Sequence, residues 1–180
     1  MENTEVTLIL LKPDGVKKKI IGDVLSRLEK VGLDIIGLKM VWPDSKKAGQ
    51  HYADNEEWLK SMGEKTKKNY EEKGLPFDKT ELEHGQMVRQ QLMDFISSGP
   101  IVAVAAQGHN AISTVRKLVG ATEPAAAAPG TIRGDYSLDT YRLADQNNRP
   151  ITNIVHASSD ILEAQRELNI WFSEEELYRA

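Results

Sequence analysis

The run Ile101–Ala106 is continuously apolar and consists of small or branched side chains, which is typical of a strand buried inside a sheet. The segment Thr4–Leu11 alternates at first and then becomes apolar, which predicts a second central strand. Leu33–Trp42 shows a period of two, and Ile151–Val155 is another short apolar run. We therefore expect a domain built around a sheet of four strands.

Apolar residues at helical spacing separate the predicted strands. The pattern predicts helices over residues 20–31, 86–96 and 111–119, and another that begins at Asp160. Residues 55–84 are rich in Glu and Lys with scattered apolar positions, which predicts a surface insertion with short helices. Together these elements predict an α+β sandwich in which a largely antiparallel sheet carries helices on a face.

Composition excludes several classes of protein. The 180 residues include 23 Lys and Arg against 27 Asp and Glu, for a net charge of −4, which argues against a nucleic-acid coat or a polybasic membrane anchor. The absence of cysteine excludes disulfides and thiolate zinc sites. No signal-peptide-like or membrane-spanning run occurs, so we expect a soluble cytoplasmic protein.

His156 is the first candidate for a chemical role. It follows the predicted strand 151–155 and precedes a helix that opens with Asp160 and Glu163, the spacing of a capping box. The N-terminus of a helix favours anions, so a histidine placed there could attack phosphorus. Most histidines at strand ends are ordinary polar residues, and position alone leaves both interpretations open.

Other polar residues stand near the ends of predicted elements: Lys12, Arg116, Thr122, Arg133 and Asn153. Three cations with a hydroxyl and an amide suit a polyphosphate, because arginine pairs with oxygens bidentately and lysine supplies a point charge. The set lacks the clustered ligands of a metal cage and the glycine-rich loop of P-loop enzymes. Spacing alone does not show that these side chains converge.

Several motifs occur in one order along nearly the whole chain. They are Lys12-Pro13-Asp14-Gly15, His51-Tyr52, Ser98-Gly99-Pro100, Arg116 with Gly120-Ala121-Thr122, Pro129-Gly130-Thr131-Ile132-Arg133-Gly134-Asp135, and Asn153-Ile154-Val155-His156-Ala157-Ser158. Together they resemble the nucleoside diphosphate kinase family. The resemblance implies a single domain over residues 1–180 with a ferredoxin-like α/β sandwich and insertions near residues 56–84 and 137–150.

The same resemblance implies a ping-pong phosphotransferase. His156 would take the γ-phosphate of a nucleoside triphosphate, typically ATP, and pass it to a nucleoside diphosphate. The implied phosphate-holding residues are Lys12, Arg116, Thr122, Arg133 and Asn153, with Tyr52 close to the reacting phosphate. Glu167 would hold the imidazole nitrogen that does not attack, with Ser158 as the partner of that glutamate.

The implied cofactor and assembly also follow from the resemblance. Mg²⁺ would arrive with the nucleotide rather than in a protein cage, and the chain would form a hexamer or a tetramer built from dimers. Trp58 is the candidate for stacking on the base, because an aromatic face grips any base without reading its edges. The alternative for Trp58 is a tryptophan of the core or one that anchors the insertion.

The chain departs from the family pattern at a few positions. Ala157 stands where glycine is usual, Ser159 where aspartate is usual, Lys18 where arginine is common and Glu123 where asparagine is common. The remaining histidines, His51, His84 and His109, are interpreted as structural or surface residues.

Two other hypotheses remain open at this point. A non-catalytic nucleotide-binding module could share the fold, since fold does not fix function. Binding of single-stranded nucleic acid is a third class, and the acidic balance with few aromatic residues argues against it.

Overall fold

The computed structural model describes residues 4–72, 74 and 76–178. Its strands are β1 (Thr4–Leu11), β2 (Asp34–Val41), β3 (Ile101–His109) and β4 (Val155–Ala157). Its helices are α1 (Pro13–Lys17), α2 (Ile21–Lys30), α3 (Ser45–His51), α4 (Glu56–Glu72), α5 (Glu81–Ile96), α6 (Ala111–Val119), α7 (Ile132–Tyr136), α8 (Tyr141–Gln146) and α9 (Ile161–Trp171). Short 3-10 turns follow at Pro124–Ala126 and Glu174–Glu176.

The four strands form one sheet in the order β2-β3-β1-β4. Each neighbouring pair is antiparallel, and Leu10 of β1 lies opposite both Ala103 of β3 and His156 of β4. The predicted α+β sandwich with a four-stranded, largely antiparallel sheet is therefore confirmed.

Both faces of the sheet are covered. Ile9 and Leu11 of β1 belong to a core layer that packs against α2 and α6. Leu8 and Leu10 point the other way, into a layer completed by residues of α3 and α9. The apolar run at the end of β1 is explained by this double burial, since neither set of alternating side chains meets water.

The segment predicted as a polar insertion is a helical hairpin. α4 is one helix of 17 residues, and α5 begins at Glu81 rather than at Gln86, with a capping box made by Thr80 and Glu83. The helices cross closely, because a Cβ added at Gly85 would lie 2.0 Å from the carbonyl oxygen of Leu59. The two helices contact each other partly through glycines rather than through a continuous apolar stripe. The hydrophobic periodicity of residues 55–84 is therefore weak.

The bounds of the fourth strand differ from the prediction. Residues 151–154 are not part of β4, and His156 lies inside the strand rather than after it. Ile154 has a φ of +71°, which ends the extended backbone that the apolar run suggested. None of the described helices is long and apolar enough to cross a bilayer.

Candidate active site

The imidazole of His156 is held from one side. Its Nε2 lies 2.8 Å from Glu167 Oε1 and 3.0 Å from Oε2, and the ring is partly open to solvent. A carboxylate can only accept here, so Nε2 carries the proton and donates it. The Nδ1 atom has no hydrogen-bond partner among the described residues, which leaves its lone pair available for attack.

Glu167 sits on α9 and its side chain is almost fully buried. Besides His156, it accepts a hydrogen bond of 2.6 Å from Ser158 Oγ. Two donors on one buried carboxylate fix its orientation, and a fixed carboxylate fixes the imidazole tautomer. The structure thus places Glu167 and Ser158 behind His156, as the resemblance implied.

Lys12 lies at the end of β1 and is buried despite its charge. Its ammonium donates to Asn153 Oδ1, and its backbone N–H donates to the Ile154 carbonyl at 2.8 Å. Burial lowers the pKa of Lys12 to about 8, an effect opposed by Asp14 and increased by Arg133. A buried ammonium with one amide partner is ready to pair with an anion.

Arg133 approaches the same place from α7. Its guanidinium donates to three backbone carbonyls, those of Asn153 (3.2 Å), Gly120 (3.0 Å) and Val155 (2.8 Å). Burial lowers the pKa of Arg133 to about 10, which still leaves it charged at neutral pH. The carbonyls fix the plane of the guanidinium before any ligand binds.

Asn153 connects these groups. Its Oδ1 accepts from Lys12, its carbonyl accepts from Arg133, and its Nδ2 donates to the Thr122 carbonyl at 2.9 Å. The chain then makes a γ-turn at Ile154, in which the Val155 N–H donates to the Asn153 carbonyl at 2.7 Å. Two residues later the same backbone delivers His156.

The γ-turn is strained and is held in place from outside. A β-branched residue with positive φ is a true outlier, and such strain persists where neighbours enforce it. The Ile154 N–H donates to Asp14 Oδ2 at 2.9 Å, and its carbonyl accepts from Lys12. A Cβ at Gly15 would come within 2.9 Å of that carbonyl, so the Asp14-Gly15 pair is needed for the close approach.

The remaining predicted residues differ in how directly they reach the site. Arg116 is exposed on α6 and close enough to Arg133 to contribute to its lowered pKa. Tyr52 is buried, and burial with the charges of Glu167 and Asp14 raises its pKa. Trp58 packs, partly buried, against the core layer beneath α9, and among the described residues its ring makes no contact with the His156 ring.

His51 lies at the site although sequence reasoning assigned it a structural role. Its ring is buried, with its centroid 4.7 Å from that of His156 and 4.8 Å from that of Tyr52. Potential ligand atoms of His51, His156 and Glu167 lie within 4.8 Å of one another. Its adjacency to Tyr52 in the sequence was the one signal that could have drawn attention to it.

A second concave region lies between the helical hairpin and α8. It has a volume of about 250 Å³ and includes the rings of Tyr70, Phe77 and His84 with the polar side chains of Gln91 and Asn148 in its lining. Gln91 is one helical turn before Phe95, whose ring lies 5.7 Å from the Lys12 ammonium. α5 therefore contributes both to the aromatic pocket, through Gln91, and to the surroundings of Lys12, through Phe95.

Comparison with known proteins agrees with this geometry. The nucleoside diphosphate kinase family model matches residues 5–72 and 80–177. The nucleoside diphosphate kinase of Pyrobaculum aerophilum is 45% identical over 178 residues, covering 96% of this chain and 97% of that protein. That of Pyrococcus furiosus is 39% identical, covering 99% of this chain and 89% of that protein.

Solved structures give the same result. A crystal structure of an NDP kinase from Pyrobaculum aerophilum superposes with a TM-score of 0.94 at 41% identity, covering 98% of this chain and 100% of that chain. A transition-state mimic of nucleoside-diphosphate kinase from Borrelia burgdorferi with bound vanadate and ADP has a TM-score of 0.81 at 35% identity, covering 100% of this chain and 94% of that chain. The site and fold define a nucleotide-dependent phosphotransferase. The chain belongs to the nucleoside diphosphate kinase family.

Proposed function

We propose that the protein transfers the γ-phosphate of a nucleoside triphosphate, typically ATP, to a nucleoside diphosphate through a phosphohistidine at His156. In the first step His156 Nδ1 forms a bond to the γ-phosphorus while the bond to the β,γ-bridging oxygen breaks, and the diphosphate leaves. In the second step a terminal oxygen of another diphosphate attacks that phosphorus and the P–N bond breaks. The observation that carries this proposal is the imidazole whose Nε2 is held by Glu167 and whose Nδ1 is free.

The charged residues around His156 supply electrostatic stabilisation in both steps. Lys12 and Arg133 are fixed in advance by Asn153 and by backbone carbonyls, so little reorganisation is needed as charge shifts to the leaving oxygen. Arg116, Thr122 and Asn153 complete the set that holds the phosphates, and Tyr52 stands near the reacting phosphate. The hydrogen bonds that join Lys12, Arg133 and the Thr122 carbonyl to Asn153 support these roles.

Mg²⁺ is proposed to enter with the nucleotide. Magnesium prefers oxygen ligands, whereas the described residues offer the mixed group of His51, His156 and Glu167, two of whose members are imidazoles. When bound to the phosphates, the ion neutralises negative charge between them. Lys12 and Arg133 would add their own positive charge and orient the phosphates against His156.

Two aromatic side chains compete for the base-stacking role. Trp58 remains the proposal from the sequence, and its ring is partly covered by the core. Phe77 instead lines an open pocket with Tyr70, which supports it as the second candidate. Calorimetry of ADP binding to Trp58→Ala and Phe77→Ala variants separates the two, because only one of them should weaken ADP binding.

A homo-oligomer, hexameric or tetrameric and built from dimers, is part of the proposal. β2 is an edge strand. Leu38 and Met40 within it, and Trp42 directly after it, are more than half exposed. An apolar edge of this kind is a common site for pairing with another chain. The single-domain organisation with insertions near 56–84 and 137–150, and the cytoplasmic location, stay predictions of the sequence.

The test is transfer of label from γ-labelled ATP. We expect acid-labile, base-stable label on the native protein, release of that label on addition of a second diphosphate, and no label on His156→Ala. ADP binding by calorimetry without any label would favour the non-catalytic nucleotide-binding module. Label that survives His156→Ala would move the nucleophile elsewhere and overturn the proposal.

A further inference from the structure

The carboxylate that orients His156 has a second imidazole beside it. His51 Nδ1 lies 3.5 Å from Glu167 Oε1, the same oxygen that accepts from His156 Nε2 at 2.8 Å. If His51 carried a proton on Nδ1, that N–H would donate to Glu167 and compete with His156 for it. The fixed tautomer of His156 therefore depends on the protonation of His51.

Trp171 controls that protonation. The indole Nε1–H of Trp171 donates to His51 Nδ1 at 3.3 Å, and both side chains are buried. An N–H directed at Nδ1 requires a lone pair there, so the proton of neutral His51 resides on Nε2. α9 also fixes the backbone of His51, because Arg166 Nη2 donates to its carbonyl at 3.1 Å.

The charges around His51 keep the ring neutral. Burial, then the neighbouring His156 on β4, Arg166 on α9 and Lys12 after β1, hold the pKa of His51 well below its usual value. The Glu167 carboxylate lies 3.5 Å from His51 Nδ1. A neutral His51 whose Nδ1 accepts from Trp171 can pack against His156 without donating a hydrogen bond to Glu167.

We infer that Trp171 and His51 form a tautomer lock: the indole N–H keeps His51 Nδ1 unprotonated, so that Glu167 remains committed to His156 and Ser158. In this role both are positioning residues, since they act on His156 through Glu167. The inference rests on the proposed phosphohistidine mechanism and adds the two residues that hold its orienting carboxylate in place.

The lock makes an unusual prediction about a pair of variants. Trp171→Phe frees His51 Nδ1, which then takes the proton and donates to Glu167, so phosphorylation of His156 should slow by about tenfold or more. Adding His51→Phe removes the competing donor while keeping a ring against His156. The double variant W171F/H51F should therefore recover most of the lost rate, whereas a merely structural pair would lose more.

The experiment measures single-turnover labelling of His156 from γ-labelled ATP, with ADP affinity by calorimetry and ¹⁵N NMR of the imidazoles. Val24→Ala, in the core layer on the opposite face of the sheet, is the control for lost stability and should label at the native rate. We expect Trp171→Phe to bind ADP normally, label slowly and show a protonated His51 Nδ1. Native-rate labelling of Trp171→Phe, or a double variant no faster than Trp171→Phe, would overturn the lock.

A measurement on the unaltered protein keeps the inference testable even if Trp171→Phe does not fold. The ¹⁵N spectrum of the native protein should show His51 protonated on Nε2 alone, and a proton on Nδ1 would overturn the inference. Failure of the native protein to acquire label at all would instead refute the phosphohistidine mechanism.

Discussion

At the scale of single residues, the site is made from side chains whose backbone partners are already in place. Lys12 and Arg133 are both buried cations, and each is bonded to Asn153 before any ligand arrives. Such preorganisation lowers the cost of binding phosphate, because the charges need not be moved or stripped of water during the reaction. The cost appears instead as lowered pKa values in the free protein.

Lys12 should therefore set an alkaline limit on activity. Its pKa is lowered to about 8, so the ammonium loses its proton as pH rises through about 8 in the free enzyme. We expect kcat/KM for ATP to fall with rising pH across that region. Lys12→Arg should show a lower activity without this fall, because a guanidinium stays charged. A fall of the same midpoint in Lys12→Arg would assign the alkaline limit to another group.

The sequence predicted which residue types belong to the site but not how they meet. Lys12, Arg133 and Asn153 were selected by chemistry and by the family motifs, and the structure joins them by hydrogen bonds on the segment that leads to His156. His51 was not selected, because its neighbours in space, Glu167 and Trp171, are more than a hundred residues away in sequence. Contacts of this kind leave no periodic signal.

At the scale of elements, short segments determine where the functional side chains lie. The γ-turn at Ile154 replaced an expected stretch of strand, since the apolar composition of residues 151–155 does not reveal a positive φ. Only the contacts with Asp14, Gly15 and Lys12 explain why the backbone adopts it. The turn is what sets the direction in which β4 presents His156.

Gly15→Ala tests that dependence. The added Cβ would lie 2.9 Å from the Ile154 carbonyl, so the turn must shift and move Asn153 and His156 with it. We expect a slower phosphorylation of His156, by about tenfold to a hundredfold. Gly22→Ala on α2, where no atom lies within 4 Å, is the control and should label normally with stability equal or raised by roughly 0.5–1 kcal/mol. Equal labelling rates for the two variants would show that the turn tolerates displacement.

The hairpin of α4 and α5 offers a second test at this scale. A Cβ at Gly85 would lie 2.0 Å from the Leu59 carbonyl, so Gly85→Ala should force the helices apart and lower the free energy of unfolding by about 1–3 kcal/mol. Gly49→Ala, whose nearest neighbour would be the flexible end of Met93 at 3.4 Å, should change stability much less. Urea denaturation measures both, and similar midpoints would contradict the close crossing.

At the scale of the whole molecule, the sheet divides its two edges between two tasks. β4 at one edge carries His156, while β2 at the other edge exposes an apolar row. The four-stranded, largely antiparallel sheet was correctly expected from alternating strand and helix patterns, because these patterns depend on local burial. The exposed apolar residues at the β2 edge were not predicted, since the sequence does not distinguish an exposed apolar residue from a buried one.

Substitution on the apolar row should change the oligomeric state. Leu38→Lys places a charge on the exposed face of β2, and we expect analytical ultracentrifugation to show smaller species than for the native protein. Leu162→Lys, at a more exposed apolar position at the start of α9, is the control and should sediment like the native protein. An unchanged distribution for Leu38→Lys would place the interface elsewhere.

The hydrogen bond from Arg133 to the Val155 carbonyl also affects the edge of the sheet formed by β4. β4 has only three residues, and this carbonyl, which is not used in pairing with β1, already accepts the guanidinium at 2.8 Å. An extended segment of another chain would therefore find few free backbone groups with which to pair next to His156. Arg133 thus reduces the number of free backbone groups at this edge, which disfavours edge-to-edge pairing with another chain beside His156.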